Sequence, residues 1–196
     1  INGSAFYYNY KDKQVFGGVP DLIFVYLNRI VNIPKSHLYG IEGEVSVSPL
    51  EGLTTRLSGT YIKSRIDEYF GFDQYGRQGD FAGQSFAFTP KVQVNGVISY
   101  GFDVGSNFNA RLTGSGRYTS SQQGDLISDP SFHINPYTVF DANVSIETND
   151  SKYQLSFFVK NLTDKYYWTS VQGLQDSVIR YAGTPRTFGG SVTVRF

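Results

Sequence analysis

Two loop-like stretches carry the residues best suited to hold a ligand. Between positions 66 and 89, Tyr69, Phe70, Phe72, Tyr75, Phe81 and Phe86 surround Arg77 in sequence. Between 163 and 185, Tyr166, Tyr167 and Trp168 precede Arg180. Aromatic rings stack on catechols or sugars, and a guanidinium suits an anion. Tyr69, Phe72, Tyr75, Arg77, Tyr167, Trp168 and Arg180 are therefore the candidate ligand contacts. Each ring also has a simpler use, packing loop on loop or facing a lipid interface.

Catalysis finds less to work with. The two histidines, His37 and His133, lack the H-x-x-x-H type of spacing that holds a metal. There is no Cys, which removes thiol nucleophiles, thiolate metal sites and disulfides. Gly114-Ser115-Gly116 lies inside a strand-like run, so it reads as small residues on a strand face rather than a phosphate loop. Asp125, Ser128 and Asp129 offer oxygens to a cation in the 120–136 stretch, but a solvated loop is the better explanation of them. No serine-centred nucleophile motif stands out. No catalytic residue, metal site or cofactor is expected.

Composition narrows the class further. Lys plus Arg and Asp plus Glu both number 17, and a chain with no net charge lacks the basic field that recruits phosphates in nucleic acids. Aromatics reach 16% with one Trp, so nearly all are Tyr and Phe. No apolar run is long enough for a transmembrane helix. The chain opens at Ile1 without an initiator Met or signal-like segment, so we expect a mature product or a fragment of something longer.

The elements that must carry these loops alternate with a period of two. Phe108, Ala110, Leu112, Gly114, Gly116 and Tyr118 share one face, while Asn109, Arg111, Thr113, Ser115 and Arg117 share the other. The pattern recurs over about 3–13, 36–48, 53–65, 90–102, 107–119, 137–147, 152–162 and 186–196. These segments are about twice the length of ordinary globular strands. Tilted near 45°, each climbs roughly 25 Å, the height of the apolar band of an outer-membrane barrel.

The connections alternate too. Short turns are expected at 49–52, 103–106 and 148–151, and long loops at 14–35, 66–89, 120–136 and 163–185. That is the organisation of a transmembrane antiparallel β-barrel. Tyr61, Tyr100, Phe102, Phe108, Tyr118, Tyr137 and Tyr153 fall near strand ends, where rings favour the membrane interface. On the polar faces, Glu42, Glu44, Arg56, Lys91, Arg111, Arg117 and Lys160 are expected to point into a lumen. A soluble β-sandwich or lipocalin shares the periodicity but not the strand length or the charged faces.

Two carboxyl-terminal runs carry a family resemblance. The run from Tyr153 to Tyr166, YQLSFFVKNLTDKY, resembles the penultimate strand and NLxDxxY motif of TonB-dependent outer-membrane receptors. The run from Tyr181 to Phe196, YAGTPRTFGGSVTVRF, resembles that family's final strand with its terminal aromatic. The GIEGEV run at 40–45 is similar to a further family strand. The resemblance covers nearly the whole chain and is closest over 137–196.

It implies that residues 1–196 are the carboxyl-terminal part of a barrel of about 22 strands. This chain would supply the last eight strands, with plug domain and TonB box outside it. The implied function is uptake of a scarce nutrient, foremost a ferric siderophore, across the bacterial outer membrane. The implied partners are the bilayer, the amino-terminal remainder of barrel and plug, the TonB complex through that plug, and the barrel assembly machinery.

Within the motifs, Asn161 and Asp164 can bond local backbone and shape the strand exit. Pro185 fixes φ before the last strand, and Gly183 suits a turn of positive φ. Leu162, Tyr166 and Arg186 complete the motif set, with Arg186 near the extracellular rim. Phe188, Val192, Val194 and Phe196 match the family's terminal assembly signal.

Two alternatives remain at this point. One is a self-contained eight-stranded OmpA-like structural or adhesive barrel; the other is an outer-membrane enzyme. Pairing of segment 3–13 with 186–196 would favour the closed small barrel.

Overall fold

The computed structural model describes residues 1–74, 76–126, 128–174 and 177–196; Tyr75 lies outside them. Its main feature is one antiparallel sheet built from β1 (Asn2–Asp21), β2 (Val25–Leu50) and β3 (Leu53–Glu68), followed by other strands described below. Two short strands, β4 (Phe70–Phe72) and β5 (Gln78–Asp80), form a small hairpin before β6 (Val92–Val104) and β7 (Phe108–Thr119). Next, β8 (Gln122–Gln123) pairs with β9 (His133–Ile134) across a 3-10 turn at Pro130–Phe132. After β10 (Tyr137–Thr148) and β11 (Tyr153–Lys160), β12 (Trp168–Leu174) and β13 (Ser177–Ala182) form a third small hairpin, and β14 (Thr187–Val194) ends the sheet.

The sheet order is β1-β2-β3-β6-β7-β10-β11-β14, a plain up-and-down meander. Neighbouring rows place like with like. Leu53, Tyr100, Leu112, Val144 and Phe157 sit side by side on the apolar face. On that face Ile98, Phe157, Phe188 and Val192 are exposed in this chain. A sheet that turns its large apolar side chains outward across its full width is built for hydrocarbon, where strand ladders satisfy every backbone polar group. Glu42, Glu44, Arg56, Arg111, Arg117 and Lys160 occupy the opposite face, and Lys91 precedes β6. Arg56 and Glu44 are 3.9 Å apart there, both well hydrated.

The short turns fall at one end. Gly52 and Gly105 take φ of +76° and +65°, which glycine adopts without strain. Among the described residues β1 pairs only with β2, and β14 only with β11. The sheet does not close on itself, so the eight-stranded closed barrel is not formed. Open edges cost too much in lipid to persist, so both edges of this sheet call for neighbouring strands.

Two sequence expectations need correction. The stretch 14–35 is not a loop: β1 and β2 pair continuously through Asp21 and Val25, apart from Asp12 opposite Pro34. Asp12 takes φ of +55°, and Pro34 has no N–H to donate. Burial changes phase there. Phe6, Tyr10, Ser36 and Gly40 face the packed side below this point, whereas Val15, Val31 and Ile33 do so above it. Second, 66–89, 120–136 and 163–185 are folded rather than structureless, each holding a two-stranded ribbon.

Candidate ligand-binding surface

The ribbons stack at the end of the sheet opposite the short turns. Ile33, Ile66, Tyr69, Phe81 and Leu126 form one buried cluster joining the β1–β3 extension to the 66–89 and 120–136 segments. Tyr69 stacks on Phe81 at 5.3 Å and donates its hydroxyl to the Phe72 carbonyl at 2.8 Å. Burial raises the Tyr69 hydroxyl pKa, against the pull of that hydrogen bond. Phe132, Ile134 and Val171 form a second cluster, with Trp168 and Val178 packed against it.

Arg77 stands between these two clusters. Its Nε donates to Asp73 at 2.8 Å, while its terminal nitrogens reach Asp125 at 2.7 Å and Asp129 at 3.0 Å. Its guanidinium also lies 5.5 Å from the Phe132 ring centre. Asp73 and Asp125 side chains are wholly buried. Burial alone would lower the Arg77 pKa, but the bonds to Asp73 and Asp125 outweigh it and raise it. Asp129 is held below the usual carboxylate range, chiefly by the Ser131 backbone N–H, with Arg77 adding to the effect. The sequence reading offered Asp125, Ser128 and Asp129 to a cation. Here both carboxylates turn to Arg77, and Ser128 donates to Gln84 at 2.9 Å. Among the described residues no group of His, Asp or Glu is arranged to hold a metal ion. Asp73 was missed as a partner of Arg77; its place four residues earlier was the available signal.

The other candidates gather on the third ribbon. Arg180 lies over the Trp168 ring at 4.5 Å and donates to the Ser131 carbonyl at 3.1 Å. Trp168 Nε1 donates to the Tyr166 hydroxyl at 3.1 Å. Arg180 and Tyr166 are exposed and Trp168 is half-buried, so this trio presents rings and a cation outward. Tyr167 is instead buried, 4.5 Å from Tyr137. Phe72 is half-buried at the end of β4. A concavity of about 1070 Å³ lies at the short-turn end around Glu51 and Asp103, far from these loops in the topology.

The motif residues anchor the third ribbon to the sheet. Asn161 is buried at φ +50°. Its amide donates to the carbonyls of Lys165 at 2.9 Å and Thr184 at 3.0 Å, and its oxygen accepts the Lys165 N–H at 2.8 Å. Leu162 N–H donates to the Phe140 carbonyl. Asp164, at φ +53°, accepts the Arg186 N–H at 3.1 Å and lies 3.7 Å from its guanidinium. Pro185 immediately precedes this contact. Gly183 corrects an expectation, since it is not among the positive-φ residues. The Tyr167 ring occupies the space a Cβ would need, so glycine is required by close packing. Phe188, Val192 and Val194 lie on the apolar face, aligned with Val159, Leu155 and Tyr153, and the terminal Phe196 is fully exposed.

Comparison with known proteins agrees with this architecture. The family model described as TonB dependent receptor-like, beta-barrel, matches residues 1–162. A search of curated proteins gives no match. Among solved structures, FyuA, the ferric yersiniabactin uptake receptor from Yersinia pestis, aligns at TM-score 0.78 and 18% identity, over 99% of this chain and 27% of its own. BauA, the ferric preacinetobactin receptor from Acinetobacter baumannii, aligns at TM-score 0.69 and 22% identity, over 97% of this chain and 26% of its own. The copper transporter OprC aligns at TM-score 0.70 and 16% identity, over 99% of this chain and 28% of its own. The chain thus spans about a quarter of the length of the structures it matches. It belongs to the TonB-dependent receptor β-barrel family of the bacterial outer membrane.

Proposed function

We propose that this chain supplies barrel wall and extracellular loops to a receptor that takes up a ferric siderophore. The apolar face contacts lipid, the charged face lines the lumen or meets a plug, and coupling to TonB runs through that plug. The barrel assembly machinery would read the strand ending at Phe196.

The observation that carries the ligand side is the stack of exposed Arg180 on half-buried Trp168, with exposed Tyr166 beside it. A flat anionic chelate finds there a ring to stack on and a charge to pair with. The ferric-chelate receptors among the structural neighbours support the same cargo. Arg77, neutralised by three carboxylates, is better suited to tying loops together than to meeting a ligand.

In the intact protein, Trp168→Ala combined with Arg180→Ala is expected to weaken ferric-chelate binding by about 10- to 100-fold, the range for losing a ring and a cation from one contact. Equilibrium titration by intrinsic fluorescence quenching, over catecholate, phenolate and hydroxamate chelates, measures it. Unchanged affinity across the panel would remove the site from this surface.

A further inference from the structure

The apolar face carries a second feature, unrelated to transport. From the short turns up to the row of Ala5, Ile41, Tyr61 and Val92, the outward positions of β1, β2, β3 and β6 carry no charged side chain. The next row holds Tyr7, Tyr39 and Lys63, and the row above holds Asn9, His37 and Arg65. Counting rows from Leu53 at the lower edge, Lys63 and Arg65 stand roughly 23 Å and 28 Å up a strand tilted near 45°. The hydrocarbon band is about 25 Å tall, so the two cations fall at the level of lipid headgroups.

Their surroundings form a built site. His37, Tyr39, Lys63, Arg65 and Asp67 line a cleft of about 330 Å³. His37 Nδ1 lies 2.8 Å from Asp67 Oδ2 and is stacked between Tyr7 and Tyr39, at 5.9 Å and 6.4 Å. The carboxylate is thus taken by the histidine. Lys63 and Arg65 are exposed, and neither forms an ion pair among the described residues. Arg186, on the same face near β14, is by contrast paired with Asp164. Two cations without an ion pair among the described residues, on the lipid-facing surface beside Tyr7 and Tyr39 and above Tyr61, are arranged for an anion that arrives from the membrane side.

We propose that this cleft binds the phosphorylated headgroup of a membrane lipid. Lys63 and Arg65 hold the phosphate, Tyr7 and Tyr39 pack against the groups below it, and the His37–Asp67 pair fixes the wall of the cleft. The proposal rests on the direction in which the sheet faces lipid and is independent of which nutrient is carried.

The intact protein, purified in a non-ionic detergent, is titrated with short-chain phosphatidic acid or phosphatidylcholine, with native mass spectrometry reading bound lipid. Phosphatidic acid should be retained in preference to phosphatidylcholine. Lys63→Gln with Arg65→Gln should weaken that retention by about 30-fold, near a factor of five per cation at a membrane surface. The charge-keeping pair Lys63→Arg with Arg65→Lys should stay within about threefold of the native protein, as should Lys152→Gln at the short-turn end. Equal retention by the native protein and the glutamine variant would overturn the proposal. So would displacement of the lipid by inorganic phosphate at equal concentration, which would mark a site for a free anion.

Discussion

Arg77→Ala is expected to open the 66–89 and 120–136 segments to protease about 100-fold faster while leaving the sheet intact. Among the described residues its side chain is the cation paired with Asp73, Asp125 and Asp129, and the first two carboxylates are wholly buried. Removing one partner from a buried ion pair costs about 3–5 kcal/mol, because the other charge stays buried without compensation. Arg77 is itself about one-third exposed, at 32%, so water screens part of the pair and the lower end, about 3 kcal/mol, applies. Local opening free energies of that size translate into about two decades of protection. The strand ladders do not depend on this cluster, so loss should be confined to the loops. Arg77→Lys should recover part of the protection, since it keeps the charge but cannot fork to three carboxylates. Limited proteolysis of the protein in detergent, with cut sites mapped by mass spectrometry, reads both variants. Native-like protection in Arg77→Ala would mean that Ile33, Tyr69 and Phe81 hold the loops without the charge cluster.

Asn161→Leu should free the third ribbon from the sheet. Leucine matches asparagine closely in size but leaves the Lys165 N–H and the Lys165 and Thr184 carbonyls without their partner in a part-buried setting. Each unsatisfied buried group costs about 1–3 kcal/mol. The backbone at φ +50° adds about 1 kcal/mol for a residue with an apolar branched side chain. A total near 4 kcal/mol exceeds what a short ribbon retains on its own. Hydrogen exchange at the Lys165 amide is the direct probe, and it should speed up by about 1000-fold. Asn161→Asp keeps the acceptor for that amide and should show a smaller effect. Unchanged exchange in the leucine variant would show that the Asp164–Arg186 contact anchors the ribbon instead.

The transmembrane strands could be read from sequence because one constraint, lipid on one face and water on the other, repeats every second residue. All eight segments lie largely inside the observed strands, although 3–13 and 36–48 each cover only about half of β1 and β2. The reading stopped near residue 13 and resumed near 36 for a physical reason. Asp12 and Pro34 shift the burial phase of β1 and β2 together, so the alternation breaks although pairing resumes with the same register. The folded loops were hidden because their order comes from contacts distant in sequence. Arg77 meets Asp125 and Asp129, 48 and 52 positions away, and no local spacing signals that. Gly183 was legible as a special position, but its cause was a ring sixteen residues back and not its own backbone angle. Lys63 and Arg65 interrupt the apolar face after Leu57 and Tyr61, a signal visible in the sequence once the strand's outward face is assigned.

Uptake of labelled ferric chelates by iron-starved Gram-negative cells bearing the intact protein tests the central claim most directly. The expected result is accumulation of at least one ferric siderophore that is abolished when TonB is deleted and strongly reduced by Trp168→Ala with Arg180→Ala. Failure to accumulate any ferric chelate in the panel, or accumulation that persists without TonB, would contradict it.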